Sequence, residues 1–393
     1  MHKNQNYNLI PERIINIKNI VDNKNIEAIL DFKENIFIND TNNNSEDIRD
    51  LLPKKYIDFG KAINDLGGKL LYIKSGSTGH TFKGIHFDES NQIIENKESY
   101  AVKIVAYPKK ENYGDMYNIK RPENAEILMI KILSNFVINK QTPHIVLPIT
   151  TFNTSIKPFL DLTKSNIINN KKFEQFVERY EKGEYYQNVS VLISEWANSG
   201  DLLDYIRKNY KTFKLKDWKI LFFQILSVLA IIQAKYPAFR HNDMKANNIL
   251  IHTINSNNNT KYLYKINNQI YVIYNIGIQI KLWDFDFACI KNVVENSKVN
   301  SEWTNKINIS SNENKYYDIH YFFNTLYRKG FFPELFTAPE IPDKVKKFIK
   351  RIIPDKYMNG KYVSDRGRIL VADEYTTPDK ILKEDKFFKS IRK

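Results

Sequence analysis

The segment His241-Asn242-Asp243-Met244-Lys245-Ala246-Asn247-Asn248 places a carboxylate, a cation and a carboxamide within a few residues of one another. A second segment, Leu282-Trp283-Asp284-Phe285-Asp286, adds two further carboxylates downstream. These residue types suit the transfer of a phosphoryl group, because that reaction depends on positioning and on neutralising the charge of phosphate oxygens. The two segments therefore guide the interpretation of the rest of the chain.

Each of these side chains has an expected chemical role. Asp243 can accept the proton of an attacking hydroxyl. Lys245, two residues on, points to the same side of an extended loop and can stabilise the transferring group. Asn248 offers a neutral oxygen and Asp284 a charged one, which are hard ligands suited to Mg²⁺ held partly by substrate phosphates.

The two segments resemble the catalytic loop H-R-D-L-x-x-x-N and the metal motif D-F-G of the protein kinase superfamily. The resemblance implies an α+β, bilobal fold, with an antiparallel-sheet small lobe that carries one regulatory-type helix and a mainly helical large lobe. It also implies ATP and Mg²⁺ as cofactors, with Asp243 and Lys245 as catalytic residues and Asn248 and Asp284 as metal ligands.

Residues 71–83 read L-Y-I-K-S-G-S-T-G-H-T-F-K, which predicts two strands joined by a small-residue turn whose N–H groups could cover phosphates. Set against the kinase pattern G-x-G-x-x-G-x-V, Gly76 and Gly79 match the second and third glycines, and Ser77 lies between them. Lys74 replaces the first glycine. An ordinary hairpin turn is the alternative interpretation.

Two further motifs follow in the order that the family requires. Tyr100-Ala101-Val102-Lys103 resembles V-A-I-K, which makes Lys103 the expected partner of the α and β phosphates. Apolar residues at helical spacing over residues 121–136, with a proline near the start, predict a helix. The resemblance makes Glu126 the ion-pair partner of Lys103 and Glu123 the fallback; a solvated helix acid is the alternative for Glu126.

A buried-type strand at residues 189–194 runs into Glu195-Trp196-Ala197-Asn198-Ser199-Gly200-Asp201, which resembles the kinase hinge. The resemblance implies that the backbone of Glu195 and Ala197 bonds the adenine edge and that Asp201 meets the ribose.

We divide the chain into an N-terminal extension (1–65), a small lobe (66–197, with an insertion at about 155–187) and a large lobe (198–393). The extension is expected to hold a helical patch at 26–32 and a polar run at 39–46. An apolar stretch at 218–234 is predicted to be the core helix of the large lobe, because it is too short and too polar at its ends for a confident membrane span.

Composition supports a folded intracellular protein. The 393 residues are 42% hydrophobic, enough for a substantial core. A single cysteine, Cys289, excludes an intramolecular disulfide and suits a reducing compartment. We expect no signal peptide, because the first residues are polar.

Several positions depart from the kinase pattern. Asn242 replaces the arginine that usually receives an activation-loop phosphate, so regulation by that route is not expected. Asp286 replaces the glycine of D-F-G, from which we expect a fixed metal site with an added carboxylate nearby. No A-P-E motif lies between Asp284 and the predicted helix that contains Asp318. Asp318 itself resembles the buried aspartate that braces the catalytic loop in the family. Residues 251–280 are interpreted as a hairpin with an asparagine-rich tip.

Within the superfamily, these features resemble the divergent serine/threonine kinases of poxviruses and other large DNA viruses. Lys245 favours serine/threonine over tyrosine specificity. The predicted function is ATP- and Mg-dependent transfer of the γ-phosphoryl group to protein hydroxyls, in the host cytoplasm or packaged in the virion. A small-molecule kinase of related fold and a catalytically inactive scaffold are the alternatives.

The formal net charge of +14 is uneven, since residues 343–393 hold 15 Lys and Arg against 8 Asp and Glu. A basic surface favours an acidic protein, nucleic acid or an anionic membrane, and a solvated face is the alternative. We expect five basic side chains, spaced so that several share one helical face, to help recruit such a partner: Lys344, Lys346, Lys347, Lys350 and Arg351.

Overall fold

The computed structural model describes residues 10–22, 24, 26–32, 45–86, 99–162, 170–254, 260–299 and 301–393. Most of the predicted polar run (39–44) and the asparagine-rich tip (255–259) lie outside these residues. The chain forms two compact units. The strand-rich unit comprises Pro11–Ser134 and Leu147–Trp196, and the helical unit comprises Met1–Ile10, Asn135–Val146 and Ala197–Lys393.

The strand-rich unit is built on a five-stranded antiparallel sheet with the order β1-β2-β3-β5-β4. Its strands are β1 (Lys69–Ser75), β2 (Gly79–Ile85), β3 (Tyr100–Pro108), β4 (Pro148–Ser155) and β5 (Tyr185–Glu195). Its α-helices are α1 (Ile10–Val21), α2 (Phe59–Leu66), α3 (Pro122–Ile138) and α4 (Asn170–Glu181). The first residue of α1 and the residues of α3 after Ser134 belong to the helical unit.

Alternation along β3 explains how this sheet presents the side chain of Lys103. Val102, Ile104 and Ala106 point to one face and are fully buried, as period-two patterning requires. Lys103 points to the other face and lies opposite Leu192 of β5. The predicted helix at 121–136 is observed as α3, and its apolar positions are buried.

The helical patch predicted at 26–32 is wrong. Ile29 donates its N–H to the carbonyl of Ile149 at 3.0 Å, and Thr150 donates its hydroxyl to the carbonyl of Glu27 at 2.7 Å. Ile26, Ile29 and Leu30 are buried, but the backbone of the segment bonds to the edge of β4. An exposed sheet edge satisfies backbone groups as well as a helix does. The helix of the extension is α1 instead.

The helical unit contains seven helices and six strands among its described residues. The helices are α5 (Leu202–Asn209), α6 (Leu215–Lys235), α7 (Glu302–Asn305), α8 (Tyr317–Leu326), α9 (Glu334–Thr337), α10 (Asp343–Ile352) and α11 (Pro378–Glu384). The strands are β6 (Phe239–Arg240), β7 (Ile249–Thr253), β8 (Lys261–Ile266), β9 (Gln269–Tyr274), β10 (Ile278–Leu282) and β11 (Cys289–Ile290).

Helix α6 forms the centre of this unit, as its apolar sequence predicts. Nearly all of its side chains from Trp218 onward are buried. Phe222 stacks on Phe348 of α10 at 5.9 Å between ring centroids, and α11 also packs against α6. Over the described part of the chain, no helix is long and apolar enough to cross a membrane.

The single hairpin predicted between Leu250 and Lys281 is wrong, because the region holds two nested strand pairs. β7 pairs with β10, and β8 pairs with β9 through a tight turn at Asn267, which has a φ of 51°. Asparagine tolerates this left-handed conformation, so the turn needs no glycine. The run of alternating apolar residues after Thr260 is therefore long enough to form both β8 and β9, which pair with each other.

Two of the five basic side chains named on α10 already have partners within the helical unit. Lys346 donates to the carbonyl of Ala338 at 2.8 Å, and Arg351 is paired with Asp385 at 2.7 Å. The remaining three are exposed and recur at every third position: Lys344, Lys347 and Lys350.

Candidate active site

The predicted phosphate-covering loop joins β1 to β2. Gly76 donates its N–H to the carbonyl of Gly79 at 2.8 Å and closes the turn around Ser77. A Cβ atom at Gly79 would lie 1.8 Å from the carbonyl oxygen of Ile104, so only glycine allows β2 to approach β3 here. Contact of this loop with a nucleotide stays a prediction.

The tip of the loop is held by the predicted insertion. The carbonyl of Ser77 accepts hydrogen bonds from the Tyr185 hydroxyl at 2.6 Å and from Nη1 of Arg179, on α4, at 3.2 Å. At the end of the loop, His80 lies 4.4 Å from the Phe176 ring and shares a hydrogen bond with the Ser75 hydroxyl at 2.7 Å. Burial lowers the pKa of His80 to about 4, so this imidazole is neutral at pH 7.

The structure brings Lys103 and Glu126 together. Nζ of Lys103 lies 2.6 Å from Oε1 of Glu126. The fallback, Glu123, pairs instead with Arg121 at 2.9 Å. Because the side chains of Lys103 and Glu126 are 18% and 7% exposed, the ion pair is only weakly screened by solvent.

The predicted hinge residues lie on both sides of the boundary between the two units. Glu195, the last residue of β5, belongs to the strand-rich unit and donates its N–H to the carbonyl of Leu147 at 3.0 Å. Ala197 and Asp201 belong to the helical unit. Asp201 caps α5 by accepting the N–H of Asp204 at 2.9 Å, while contact with a ribose stays a prediction.

The catalytic loop follows β6 and is fixed from α8. Asp318 is fully buried and accepts the N–H groups of His241 at 2.7 Å and Asn242 at 2.9 Å. Burial raises the pKa of Asp318, and the two N–H groups oppose this rise by stabilising its ionised form. The expected brace on the catalytic loop is therefore present.

Asn242 ties the catalytic loop to the segment after Asp284. Its Nδ2 donates to the carbonyls of Phe287 and Ser310, each at 3.1 Å. A neutral side chain engaged in this way cannot replace the charge that an arginine would offer to a phosphate. His241 makes a second tie, since its Nε2 lies 3.0 Å from the carbonyl of Trp283.

The carboxylate of Asp243 receives donors on both oxygens. Oδ2 lies 2.8 Å from Nδ2 of Asn248 and 3.0 Å from Nζ of Lys245. Oδ1 accepts a hydrogen bond from Nη2 of Arg368. The structure thus brings together Asp243, Lys245 and Asn248, and adds an arginine that was not predicted.

The residues predicted to hold Mg²⁺ have donor atoms of the right kind. Asn248 uses its Nδ2 to bond Asp243, so its carbonyl oxygen is the atom that would bind a cation. Asp284 adopts a φ of 63°, a left-handed conformation that aspartate tolerates better than most residues other than glycine and asparagine. One carboxylate and one carboxamide fit Mg²⁺ that is also held by phosphates.

The other acidic residue of this segment has a different partner. The carboxylate of Asp286 forms an ion pair with Lys298. Nδ2 of Asn296 donates to the backbone carbonyl of Asp286 at 3.0 Å. The added carboxylate therefore helps to fix the segment that follows it. Among the described residues, no group of three or more His, Cys, Asp or Glu side chains gathers to hold a metal without a substrate.

Four residues at the candidate site were not predicted: Arg13, Arg179, Tyr185 and Arg368. Each acts on a motif residue that is distant in sequence, by 182 positions in the case of Arg13 and Glu195. None of these four residues belongs to a sequence motif, and an isolated arginine or tyrosine does not reveal from the sequence which residue it contacts.

Comparison with known proteins agrees with this geometry. A family model described as "Protein kinase domain" matches residues 110–306. A relative from Acanthamoeba polyphaga mimivirus, named "Putative serine/threonine-protein kinase R400", is 46% identical over 97% of this chain and 80% of its own length.

Two poxvirus relatives are both named "Serine/threonine-protein kinase 2". The swinepox virus protein is 34% identical over 33% of this chain and 27% of its own length. The fowlpox virus protein is 26% identical over 58% of this chain and 48% of its own length. The chain thus covers less than half of either poxvirus relative, but most of the mimivirus relative. The matched family model and that long alignment show that the chain belongs to the protein kinase family.

Proposed function

We propose that this protein kinase is an ATP- and Mg-dependent enzyme that transfers the γ-phosphoryl group of ATP to serine and threonine hydroxyls of proteins. The observation that carries the proposal is the arrangement around Asp243. Its carboxylate is held by Asn248 and Lys245 in a loop that Asp318 braces through two backbone N–H groups.

In the helical unit, Asp243 orients the acceptor hydroxyl and takes its proton. Lys245 lies 3.0 Å from that carboxylate and supplies positive charge to the transferring group. Asn248 and Asp284 hold Mg²⁺, which when bound neutralises charge on the phosphate oxygens.

In the strand-rich unit, the turn residues Gly76, Ser77 and Gly79 cover the phosphates with backbone N–H groups. Lys103 binds the α and β phosphates, and its ion pair with Glu126 fixes where the ammonium group points.

The base and the sugar are assigned to Glu195, Ala197 and Asp201. The backbone of Glu195 and Ala197 binds the adenine edge, and Asp201 binds the ribose. These assignments rest on the family membership and on the position of these residues at the end of β5 and in the segment that follows it.

Serine/threonine specificity rests on Lys245 and on the printed names of the mimivirus and poxvirus relatives. Because these relatives come from large DNA viruses, we assign the activity to the cytoplasm of an infected cell or to the virion. The acceptor is a protein, and its identity is left to experiment.

The experiment is incubation of the purified chain with labelled ATP, Mg²⁺ and basic and acidic protein substrates, followed by phosphoamino-acid analysis. We expect labelled phosphoserine or phosphothreonine. Asp243→Asn should lower turnover by at least ~10²-fold while ATP still binds, since a positioned acid–base group contributes about that much. The exposed Asp365→Asn is the matched control.

Other outcomes would identify the alternatives. Labelling of small acceptors but of no protein would indicate a small-molecule kinase. Binding of ATP without transfer to any acceptor would indicate an inactive scaffold. Lys103→Met and Asp284→Ala should each abolish transfer without unfolding the chain, and activity that survives both would place the site elsewhere.

A further inference from the structure

Arg368 is a buried cation supplied to the catalytic loop from far downstream. It follows a tight turn in which Gly367 donates to the carbonyl of Ser364 at 2.8 Å and Ser364 donates to the carbonyl of Arg368 at 2.8 Å. The side chain of Arg368 is 7% exposed. A buried arginine is costly unless its donors are satisfied, so its partners indicate why it is there.

The guanidinium group bonds three acceptors of the helical unit. Nη1 donates to the carbonyl of Asn242 and, at 3.0 Å, to the Tyr317 hydroxyl, while Nη2 donates to Oδ1 of Asp243. The group also lies 3.9 Å from the centre of the Tyr321 ring. A planar fork can reach all of these at once, whereas a lysine ammonium would satisfy them less well.

The contacts fix both the backbone and the side chain at the catalytic position. Among the described residues, three side-chain donors reach the Asp243 carboxylate: Arg368 on Oδ1, and Asn248 and Lys245 on Oδ2. An ionised carboxylate has about four lone-pair sites, so there is room for one more donor, such as an acceptor hydroxyl. The three donors leave the carboxylate little freedom to rotate.

We propose that Arg368 is a positioning residue for phosphoryl transfer, which orients the Asp243 carboxylate and supplies a positive charge that Asn242 does not carry. This inference rests on the proposed function. It assigns the segment between α10 and α11 a role in turnover and not in nucleotide binding, because Arg368 contacts none of the residues assigned to ATP.

The first test is steady-state kinetics of Arg368→Met, with the exposed Arg366→Met of the same turn as control. We expect kcat to fall by at least ~10²-fold, the cost of a misplaced reacting group, while KM for ATP is unchanged. Arg368→Lys should recover part of kcat because it keeps the charge but loses the fork. Arg366→Met should retain the wild-type kcat.

The second test is a double-mutant cycle with Asp243→Asn. If Arg368 acts through Asp243, the double variant should have the low kcat of Asp243→Asn alone, whereas a purely structural role would add a further loss. The losses of Tm should be non-additive in the same way as the losses of kcat. Arg368→Met should lower Tm more in the wild type than in the Asp243→Asn background, because only the wild type then has a mostly buried carboxylate that has lost the guanidinium donor on its Oδ1.

The outcomes separate this inference from the proposed function. An active wild type with an Arg368→Met variant of equal or higher kcat would overturn the inference, and a higher kcat would show that Arg368 blocks the site. Equal Tm losses in both backgrounds would also overturn it. An inactive wild type with coupled Tm losses would overturn the proposed function and reduce Arg368 to a structural partner of Asp243.

Discussion

Arg13 of α1 contacts both carboxylate oxygens of Glu195, the last residue of β5. Nε lies 2.9 Å from Oε2, and Nη2 lies 2.5 Å from Oε1. Oε1 also accepts the N–H of Leu147 at 2.9 Å. This ion pair attaches α1 to the first of the two residues predicted to contact the adenine, and the described residues of the extension from Pro11 onward belong to the strand-rich unit.

Arg13→Met should destabilise the strand-rich unit. The side chains are 8% and 12% exposed, and the substitution removes the guanidinium that contacts both oxygens of a mostly buried carboxylate. We expect a loss of about 3 kcal/mol, the low end for a broken buried pair, in the free energy of unfolding measured with urea. Lys18→Met, on an exposed position of the same helix, should lose much less.

A double variant tests the origin of this loss. Glu195→Gln combined with Arg13→Met removes the buried charge and should unfold at a higher urea concentration than Arg13→Met alone. If the two proteins unfold at the same concentration, the ion pair does not account for the stability of this contact.

Glu126→Gln should lower kcat/KM for ATP, whereas Glu123→Gln should leave it unchanged. Glu126 holds Lys103 at 2.6 Å, and Glu123 is paired with Arg121. A charged hydrogen bond contributes about 1.5–3 kcal/mol, so kcat/KM for ATP should fall by roughly 10- to 100-fold in Glu126→Gln. Steady-state kinetics at varied ATP measures this. An equal loss in both variants would show that the helix, and not the Lys103 pair, is responsible.

The pairing of Lys103 with Glu126 shows what a sequence can predict about a site. Both residues lie in segments with a recognisable local pattern, and the order of the segments along the chain identifies them. Arg13, Arg179 and Arg368 have no such pattern. The residues Glu195, Ser77 and Asp243 that they contact lie more than a hundred positions away, and only the folded chain brings them together.

The same distinction holds for the fold. The strand at 189–194 and the helix at 218–234 were predicted because long periodic runs bury a continuous face. The segment at 26–32 was assigned wrongly because three buried apolar residues fit a helical spacing equally well when they line a sheet edge. The pattern records burial, while the hydrogen-bond partner of the backbone depends on β4, more than a hundred residues away.

Lys54 predicts a pH dependence of stability. This side chain is 1% exposed and donates to the Tyr107 hydroxyl at 2.7 Å and to the Ser190 hydroxyl. Burial lowers the pKa of Lys54 from 10.5 to about 7, although Glu123 and Glu126 act to raise it. Arg121 lowers it further. The folded chain therefore releases this proton near neutral pH, while the unfolded chain keeps it.

The sign follows from the proton count. Between pH 7 and 10.5 the unfolded chain holds one more proton at Lys54, so stability rises with pH, by up to ~1.4 kcal/mol per pH unit. Below pH 7 both states are protonated and the dependence disappears. Urea unfolding from pH 7 to about 9 should therefore show a steeper rise in the wild type than in Lys54→Met. The exposed Lys55→Met should retain the wild-type slope, and equal slopes in all three proteins would contradict the prediction.

The exposed face of α10 predicts how turnover depends on substrate charge. Lys344, Lys347 and Lys350 recur at every third position and are exposed, whereas Lys346 and Arg351 already have partners. Three ammonium groups on one face attract an acidic protein over about a Debye length, roughly 8 Å at physiological salt. Replacing all three with Gln should therefore raise KM for an acidic protein substrate and leave KM for a short neutral peptide unchanged.

Salt and a matched control decide whether this effect is specific to α10. The difference between the two proteins should shrink as salt is raised, because screening removes the attraction in the wild type. Replacing three exposed lysines elsewhere in the helical unit, Lys208, Lys211 and Lys216, changes the net charge by the same amount and should have little effect. Equal changes in both triple variants would mean that net charge, and not the face of α10, sets the preference for acidic proteins.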